Sequence, residues 1–233
     1  RISHDDGEYQ LKTGLDNNKD QSYFLYLLGQ EQLSKSLFPL GGISKTEVRA
    51  IANKHNLITA DKKDSTGICF IGERNFSEFL QTYLPKQQGD IVDKNGQFIK
   101  HHQGLAFYTI GQRKGLEIGG GFSNSPEPWF VADKRVESNE ILVVQGDHQL
   151  LYHNTLNTSN LHWIGSQPNL PLNCQAKIRY RQASQDCTII KQNDCVKVIF
   201  KNPQRAITPG QSIVFYNDDI CLGGAIIETR NNE

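Results

Sequence analysis

Along the first third of the chain, apolar residues recur three and four positions apart, the spacing of one helix face. Asp20 can cap a helix carrying Tyr23, Phe24, Tyr26, Leu27 and Leu28. Ser44 with Glu47 makes a capping box, predicting a second helix to about His55 with Val48, Ile51 and Ala52 on one face. Asn75 with Glu78 repeats that signal ahead of Phe76, Phe79, Leu80 and Leu84, and Pro85 closes the segment. From about residue 86 the texture changes to short apolar stretches between Gly, Asn and Asp turns. The expected strands are Gly104–Thr109, Trp129–Ala132, Glu140–Gln145, Asn173–Arg181, Cys187–Lys191, Cys195–Phe200, Ser212–Tyr216 and Cys221–Glu228. The last five follow one another closely enough to suggest a small closed barrel, with a boundary near residue 146.

Composition narrows the function classes. The 25 basic and 25 acidic side chains cancel, so an RNA contact has to come from local patches. No apolar run approaches the roughly 18 residues of a membrane-spanning helix. The five cysteines are odd in number, and no C-x-x-C or Cys/His spacing resembles a zinc site. A reducing, cytoplasmic setting is expected. The chain starts at Arg1 and contains no Met, which suggests a piece of a longer protein.

Four cysteines (Cys174, Cys187, Cys195, Cys221) fall in strand-like segments and read as small hydrophobes. Cys69 differs. It lies on a connection between predicted helices, in the run KKDSTGICFIGER, with Lys62, Lys63 and Arg74 nearby in sequence. Cations lower a thiol pKa, so a sulfur nucleophile or carrier stands there against a buried structural cysteine. In Asn173–Arg181, period-two alternation would put Lys177, Arg179 and Arg181 on one face and Ile178 and Tyr180 on the other. Such a face could meet phosphates and stack a base, or could simply be a solvated barrel exterior. Lys19, Asp20 and Gln21 sit at a helix start, where backbone N–H groups could receive a phosphate; Asp20 as a plain cap is the simpler reading. Gly111–Gly115 could form a basic turn through Arg113 and Lys114, and His101 and His102 are weak candidates for general bases. Gln211, in TPGQS, is a possible polar contact.

Together these blocks resemble the tRNA-specific 2-thiouridylase family. The matching runs, in order, include GLDNNKDQSYFLY, FPLG, KTEVRAIA, KKDSTGICFIGER, YLP, HHQGLAFYTIGQRKGL, PWFV, KIRYRQ, TPGQSIVFY and CLGGAII. The resemblance implies a multi-domain α+β protein. Residues 1–80 would be the helical end of a PP-loop α/β nucleotide-binding domain carrying the cysteine loop. Residues 81–145 would be a small β-rich central domain, and 146–233 an elongation-factor-like β-barrel. It further implies ATP- and Mg-dependent replacement of the C2 oxygen of a tRNA wobble uridine by sulfur from a cysteine persulfide, loaded by a sulfur-donor protein. By motif position Cys69 would carry the persulfide, while Lys19, Asp20, Gln21, Arg179, Tyr180 and Gln211 would contact tRNA.

The family's SGGxDS-type ATP loop and second catalytic cysteine do not occur here, so these residues alone are expected not to thiolate tRNA. The competing expectation is a tRNA-binding module without catalysis. A cysteine hydrolase ranks below both, since no His lies near Cys69 in sequence.

Overall fold

The computed structural model describes residues 1–63, 79, 81–84, 86–119, 122, 125–192 and 195–232. Cys69 and the helix expected from Asn75 lie outside the described residues, Phe79, Gln81, Thr82, Tyr83 and Leu84 apart. The strands, in chain order, are β1 (Ile2–Asp5), β2 (Glu8–Lys12), β3 (Gly89–Val92), β4 (Phe98–His102), β5 (Trp129–Arg135), β6 (Glu140–Gln145), β7 (Tyr152–Thr158), β8 (His162–Trp163), β9 (Leu172–Lys177), β10 (Gln185–Gln192), β11 (Cys195–Arg205), β12 (Ser212–Asn217) and β13 (Ile220–Asn231). The helices are α1 (Ser22–Leu25), α2 (Gln30–Ser34) and α3 (Lys45–Lys54). Two compact units result. One holds the described residues of Arg1–Lys63, Asn154–Gln204 and Thr208–Glu233, the other those of Asp64–His153 and Arg205–Ile207.

In the first unit the strands run β13-β12-β9-β10-β11-β7, and β7 pairs back onto β13, closing the barrel expected from the strand spacing. Inside it sit Ala176, Ile189, Val198, Phe215 and Ile227, all nearly inaccessible. β12 is buried on both faces. Ile213 and Phe215 alternate with Val214 and Tyr216, which join Leu11, Tyr23, Tyr26, Leu33 and Ile164 in a second core under α1 and α2. That is why Ser212–Asn217 reads as a continuous apolar run rather than an alternating one. β8 and Tyr26 come close to β13 at Gly223 and Gly224. A methyl at Gly223 would overlap the His162 carbonyl, and one at Gly224 the Ile213 carbonyl and the Tyr26 ring.

The opening segment departs from the helical expectation. β1 and β2 form a hairpin in register Ile2 to Leu11, and Leu11 pairs with Cys221 of β13, extending the barrel sheet. Its turn, Asp6-Gly7, is left-handed at both residues (φ 49° and 82°), the geometry that Asp-Gly favours in tight hairpins. α1 is a single turn, in which Ser22 and Tyr23 are buried while Phe24 is left exposed. α3 begins as expected: the Glu47 N–H donates to Ser44 Oγ (3.2 Å) and the Ser44 N–H to Glu47 Oε2 (2.7 Å).

The second unit is a four-stranded sheet in the order β4-β3-β6-β5, with β3 parallel to β6. Ile91, Ile99, Ile110, Val131, Ile141 and Val143 fill one side and Val92, Ala132, Leu142, Val144 and Leu151 the other. The expected strand Gly104–Thr109 is instead a 3₁₀ turn at Leu105–Phe107, entered through Gly104 at φ 137°. The turn is closed by the Phe107 N–H donating to the Gly104 carbonyl (3.2 Å) and the Tyr108 N–H to the Leu105 carbonyl (3.3 Å), bonds that an extended strand cannot make.

Candidate nucleic-acid interface

Three segments distant in sequence meet on the first unit: the 14–25 loop with α1, the turn after β9, and the turn before β12. Tyr23 fastens them. Its hydroxyl donates to the Ser212 carbonyl at 2.8 Å and lies 3.3 Å from that of Ile178. Burial pushes its pKa up to about 12, so it remains a donor throughout the neutral range.

On this frame, Gln21 Nε2 donates to the Tyr180 hydroxyl at 3.0 Å. Phe24, 56% exposed, lies with its ring centroid 4.6 Å from that of Tyr180. Arg179 Nη2 is 3.5 Å from Thr208 Oγ1, and the Gln211 N–H donates to the Thr208 carbonyl at 3.2 Å. Gln211 Oε1 is buried with no hydrogen-bond partner among the described residues. Lys19 and Arg181 are exposed. The structure therefore brings Gln21, Arg179, Tyr180 and Gln211 together, with Lys19 in the adjoining loop.

The period-two reading of Asn173–Arg181 fails beyond Lys177, where β9 ends. The chain turns because the Ile178 N–H donates to Gln182 Oε1 (3.1 Å) and the Gln182 N–H to the Arg179 carbonyl (3.1 Å). Lys177 does not share an outer row with Arg179 and Arg181. Its side chain is 16% exposed, with Nζ 3.7 Å from Asp20 Oδ2 and 4.9 Å from the centre of the Tyr216 ring.

Asp20 is itself 6% exposed. Its Oδ1 accepts the Gly14 and Ser22 N–H groups, each at 3.1 Å, and its Oδ2 accepts Ser22 Oγ at 2.8 Å. Of the helix-start amides proposed from sequence for a phosphate, that of Ser22 is thus already taken by this carboxylate. Asp20 organises the loop that displays Lys19 and Gln21, and its own oxygens face inward.

The N-terminus of α3 is closed in the same way. Besides the Ser44–Glu47 box, the Lys45 N–H donates to Asp16 Oδ2 at 3.0 Å, so the first-turn amides of Lys45 and Glu47 are held by a carboxylate and the Ser44 hydroxyl, and the Glu47 carboxylate holds the Ser44 N–H. Those N–H bonds pull the carboxyl pKa values of Asp16 and Glu47 below their usual range. The end of a helix occupied by its own acids does not fit the phosphates of ATP.

In the second unit, Arg113 and Lys114 are exposed on a turn pinned by Gln112. Its Oε1 accepts the Thr109 N–H and its Nε2 donates to the Lys114 carbonyl, both at 2.8 Å. His102 is 1% exposed and cannot serve as a general base. Its Nδ1 accepts the Gly104 N–H at 2.9 Å, which requires the neutral ring with Nε2–H donating to the Asn139 carbonyl at 3.0 Å. His101 is exposed and sits 2.8 Å from Asp90 Oδ1.

Sequence reading did not single out Phe24, Tyr23 or Thr208 for this face. Phe24 was detectable as the helix residue with no inward position in the α1 turn; Tyr23 and Thr208 gain their places only through tertiary contact.

Comparison with known proteins covers almost the whole chain. Three family models match in order: "tRNA methyl transferase HUP domain" over residues 1–73, "tRNA methyl transferase PRC-barrel domain" over 77–145, and "Aminomethyltransferase beta-barrel domain" over 153–227. Two proteins named tRNA-specific 2-thiouridylase MnmA, from Vesicomyosocius okutanii and Ruthia magnifica, are each 71% identical over 99% of this chain and 64% of their own length. A third of that name, from Francisella philomiragia, is 57% identical over 96% of this chain and 63% of its own. The chain thus spans a little under two thirds of these relatives. With three ordered domain matches and such identity along its length, the chain belongs to the MnmA/TrmU family of tRNA-specific 2-thiouridylases.

Proposed function

We propose that this chain is the RNA-docking and sulfur-carrying portion of a cytoplasmic enzyme that replaces the C2 oxygen of a tRNA wobble uridine with sulfur. The observation that carries the reading is the convergence of Gln21, Phe24, Arg179, Tyr180 and Gln211 on one face of the barrel unit. Each has a distinct task there. Lys19, Arg179 and Arg181 neutralise phosphates, which gives affinity without sequence preference. Phe24 and Tyr180 offer an aromatic platform on which an unstacked base can lie. Gln21 and Gln211 supply polar contacts, and a donor reaching Gln211 Oε1 would relieve a buried acceptor whose isolation costs about 1–3 kcal/mol. Asp20 acts from beneath, holding the loop against Lys177.

Cys69 takes the role of sulfur carrier by its place in the motif KKDSTGICFIGER, loaded as a persulfide by a donor protein. ATP is the expected co-substrate for activating the uridine oxygen. The closed helix start at Ser44 does not suit it, and no SGGxDS-type loop occurs among these residues.

The test pairs binding with sulfur loading. Arg179→Ala should weaken tRNA binding, whereas Cys69→Ala should leave binding intact and abolish persulfide formation from a protein persulfide donor. If Arg179→Ala and Phe24→Ala both bind tRNA like the parent, the proposed face is wrong. If binding depends on this face but Cys69 never accepts sulfur, the chain is a tRNA-binding module without a catalytic role.

A further inference from the structure

At one end of the barrel interior, β9 and β10 place two thiols side by side. Cys174 and Cys187 are direct cross-strand partners, and their sulfurs are 3.8 Å apart. Both side chains project to the face that carries Ala176 and Ile189, beyond the last packed layer of the barrel. They line a cleft of about 580 Å³ whose other walls include Phe200, Tyr216, Asp186 and Lys201. This is within the size range of small-molecule sites. Neither cysteine belongs to the face assigned above to RNA.

Residues directly opposite on antiparallel strands have Cα atoms about 4.5–5.5 Å apart, inside the roughly 4.4–6.8 Å that a disulfide spans. The sulfurs therefore need only side-chain rotation to reach bonding distance. The two thiols are also unequal. Cys174 is half-buried on the cleft, whereas Cys187 is 5% exposed behind it. The neighbouring Cys174 sulfur, together with burial, raises the Cys187 thiol pKa. Such asymmetry sets an order of reaction: the accessible sulfur attacks, and the enclosed one resolves.

We propose that Cys174 and Cys187 form a two-thiol exchange site that takes low-molecular-weight disulfides of the glutathione type. In the first step the Cys174 thiolate attacks one sulfur of the small disulfide. Its S–S bond breaks, one small thiol leaves, and a mixed disulfide remains on Cys174. In the second, the Cys187 thiol gives its proton to solvent and attacks Cys174 Sγ, expelling the second small thiol. Two protein thiols are oxidised to one cross-strand disulfide, and the small disulfide is reduced to two thiols, with no other reactant. The bond ties β9 to β10 at the mouth of the barrel.

The experiment incubates the protein with oxidised glutathione, blocks remaining thiols by alkylation, and reads intact mass and proteolytic peptides. Lys177, Arg179 and Arg181 lie between the two cysteines, so trypsin yields separate peptides joined only by the new bond. The expected product has lost two hydrogens, carries no glutathione on either residue, and gives a linked Cys174–Cys187 peptide. Cys187→Ser should stop at a glutathione adduct on Cys174. Cys187→Ala gives the same readout if the serine disturbs the barrel. Cys174→Ser should leave Cys187 unmodified. A parent protein that stops at the adduct, or in which neither residue reacts while other cysteines do, would overturn the assignment.

Discussion

Replacing Asp20 by alanine tests whether this carboxylate builds the candidate RNA face from beneath or touches RNA itself. In the folded chain it satisfies the Gly14 and Ser22 N–H groups at 3.1 Å and Ser22 Oγ at 2.8 Å, and it lies 3.7 Å from Lys177 Nζ. With Asp20 6% and the Lys177 side chain 16% exposed, water cannot fully replace those bonds. Each buried donor left without an acceptor costs about 1–3 kcal/mol. Removing one member of a buried ion pair costs roughly 3–5 kcal/mol. The two figures describe overlapping losses, because the same oxygens serve both, so they are not summed. The residual access of Lys177 and its contact with the Tyr216 ring favour the lower half, about 3–4 kcal/mol.

Urea unfolding gives the measurement. Trp163, on β8 with its ring 6.1 Å from that of Phe215, reports the barrel unit, while Trp129 belongs to the other unit. A Trp129→Phe background isolates the first signal, since the chain has only two tryptophans. With a urea slope of about 2 kcal/mol per molar, Asp20→Ala should lower the midpoint by roughly 1.5–2 M. Asp20→Asn retains an oxygen for the two backbone amides but loses the charge and the second oxygen that accepts the Ser22 hydroxyl, so it should cost less than the alanine variant but well above zero. A drop below about 0.5 M for the alanine variant would refute the buried-anchor reasoning, because it falls short of even one orphaned donor. Weakened tRNA binding without loss of stability would point instead to direct contact by Asp20.

Three further outcomes follow from the same geometry. Arg179→Ala should weaken all bound tRNAs alike and reduce the slope of log affinity against log salt by about 1, measured by filter binding at several salt concentrations. Phe24→Ala should cost about 1–3 kcal/mol of RNA affinity through lost stacking; since Phe24 is 56% exposed, its urea midpoint should stay near the parent's, and a parallel fall in both would make it a packing residue. His102 is held neutral, its pKa lowered chiefly by burial below the ordinary 6.5, so the unfolded chain binds a proton that the folded chain refuses. Stability of the second unit, followed by Trp129 in a Trp163→Phe background, should therefore be full above about pH 6.5 and decline as pH falls below it, and His102→Gln should flatten that decline.

What could be read in advance depended on whether local pattern and tertiary demand agreed. Ser212–Tyr216 and Cys221–Glu228 were legible as strands because barrel burial selects the apolar residues that also favour extended backbone. The hairpin at Ile2–Lys12 was missed because Ser3, His4, Asp5 and Glu8 give little hydrophobic alternation, although Asp6-Gly7 carried the turn chemistry that would have disclosed it. Side-chain roles were harder to read than elements. Alternation assigned Lys177 outward with Arg179, but it takes no account of an acid delivered from residue 20. Lys177 stays on the outer face of the barrel, but there it is covered, because Asp20 buried over β9 would cost more left uncompensated than one lysine withdrawn from water beside it. The two thiols of β9 and β10 illustrate the same limit. Thirteen positions apart, Cys174 and Cys187 look like two unrelated small hydrophobes; the hairpin register sets them opposite each other, and that adjacency gives them the chemistry neither has alone.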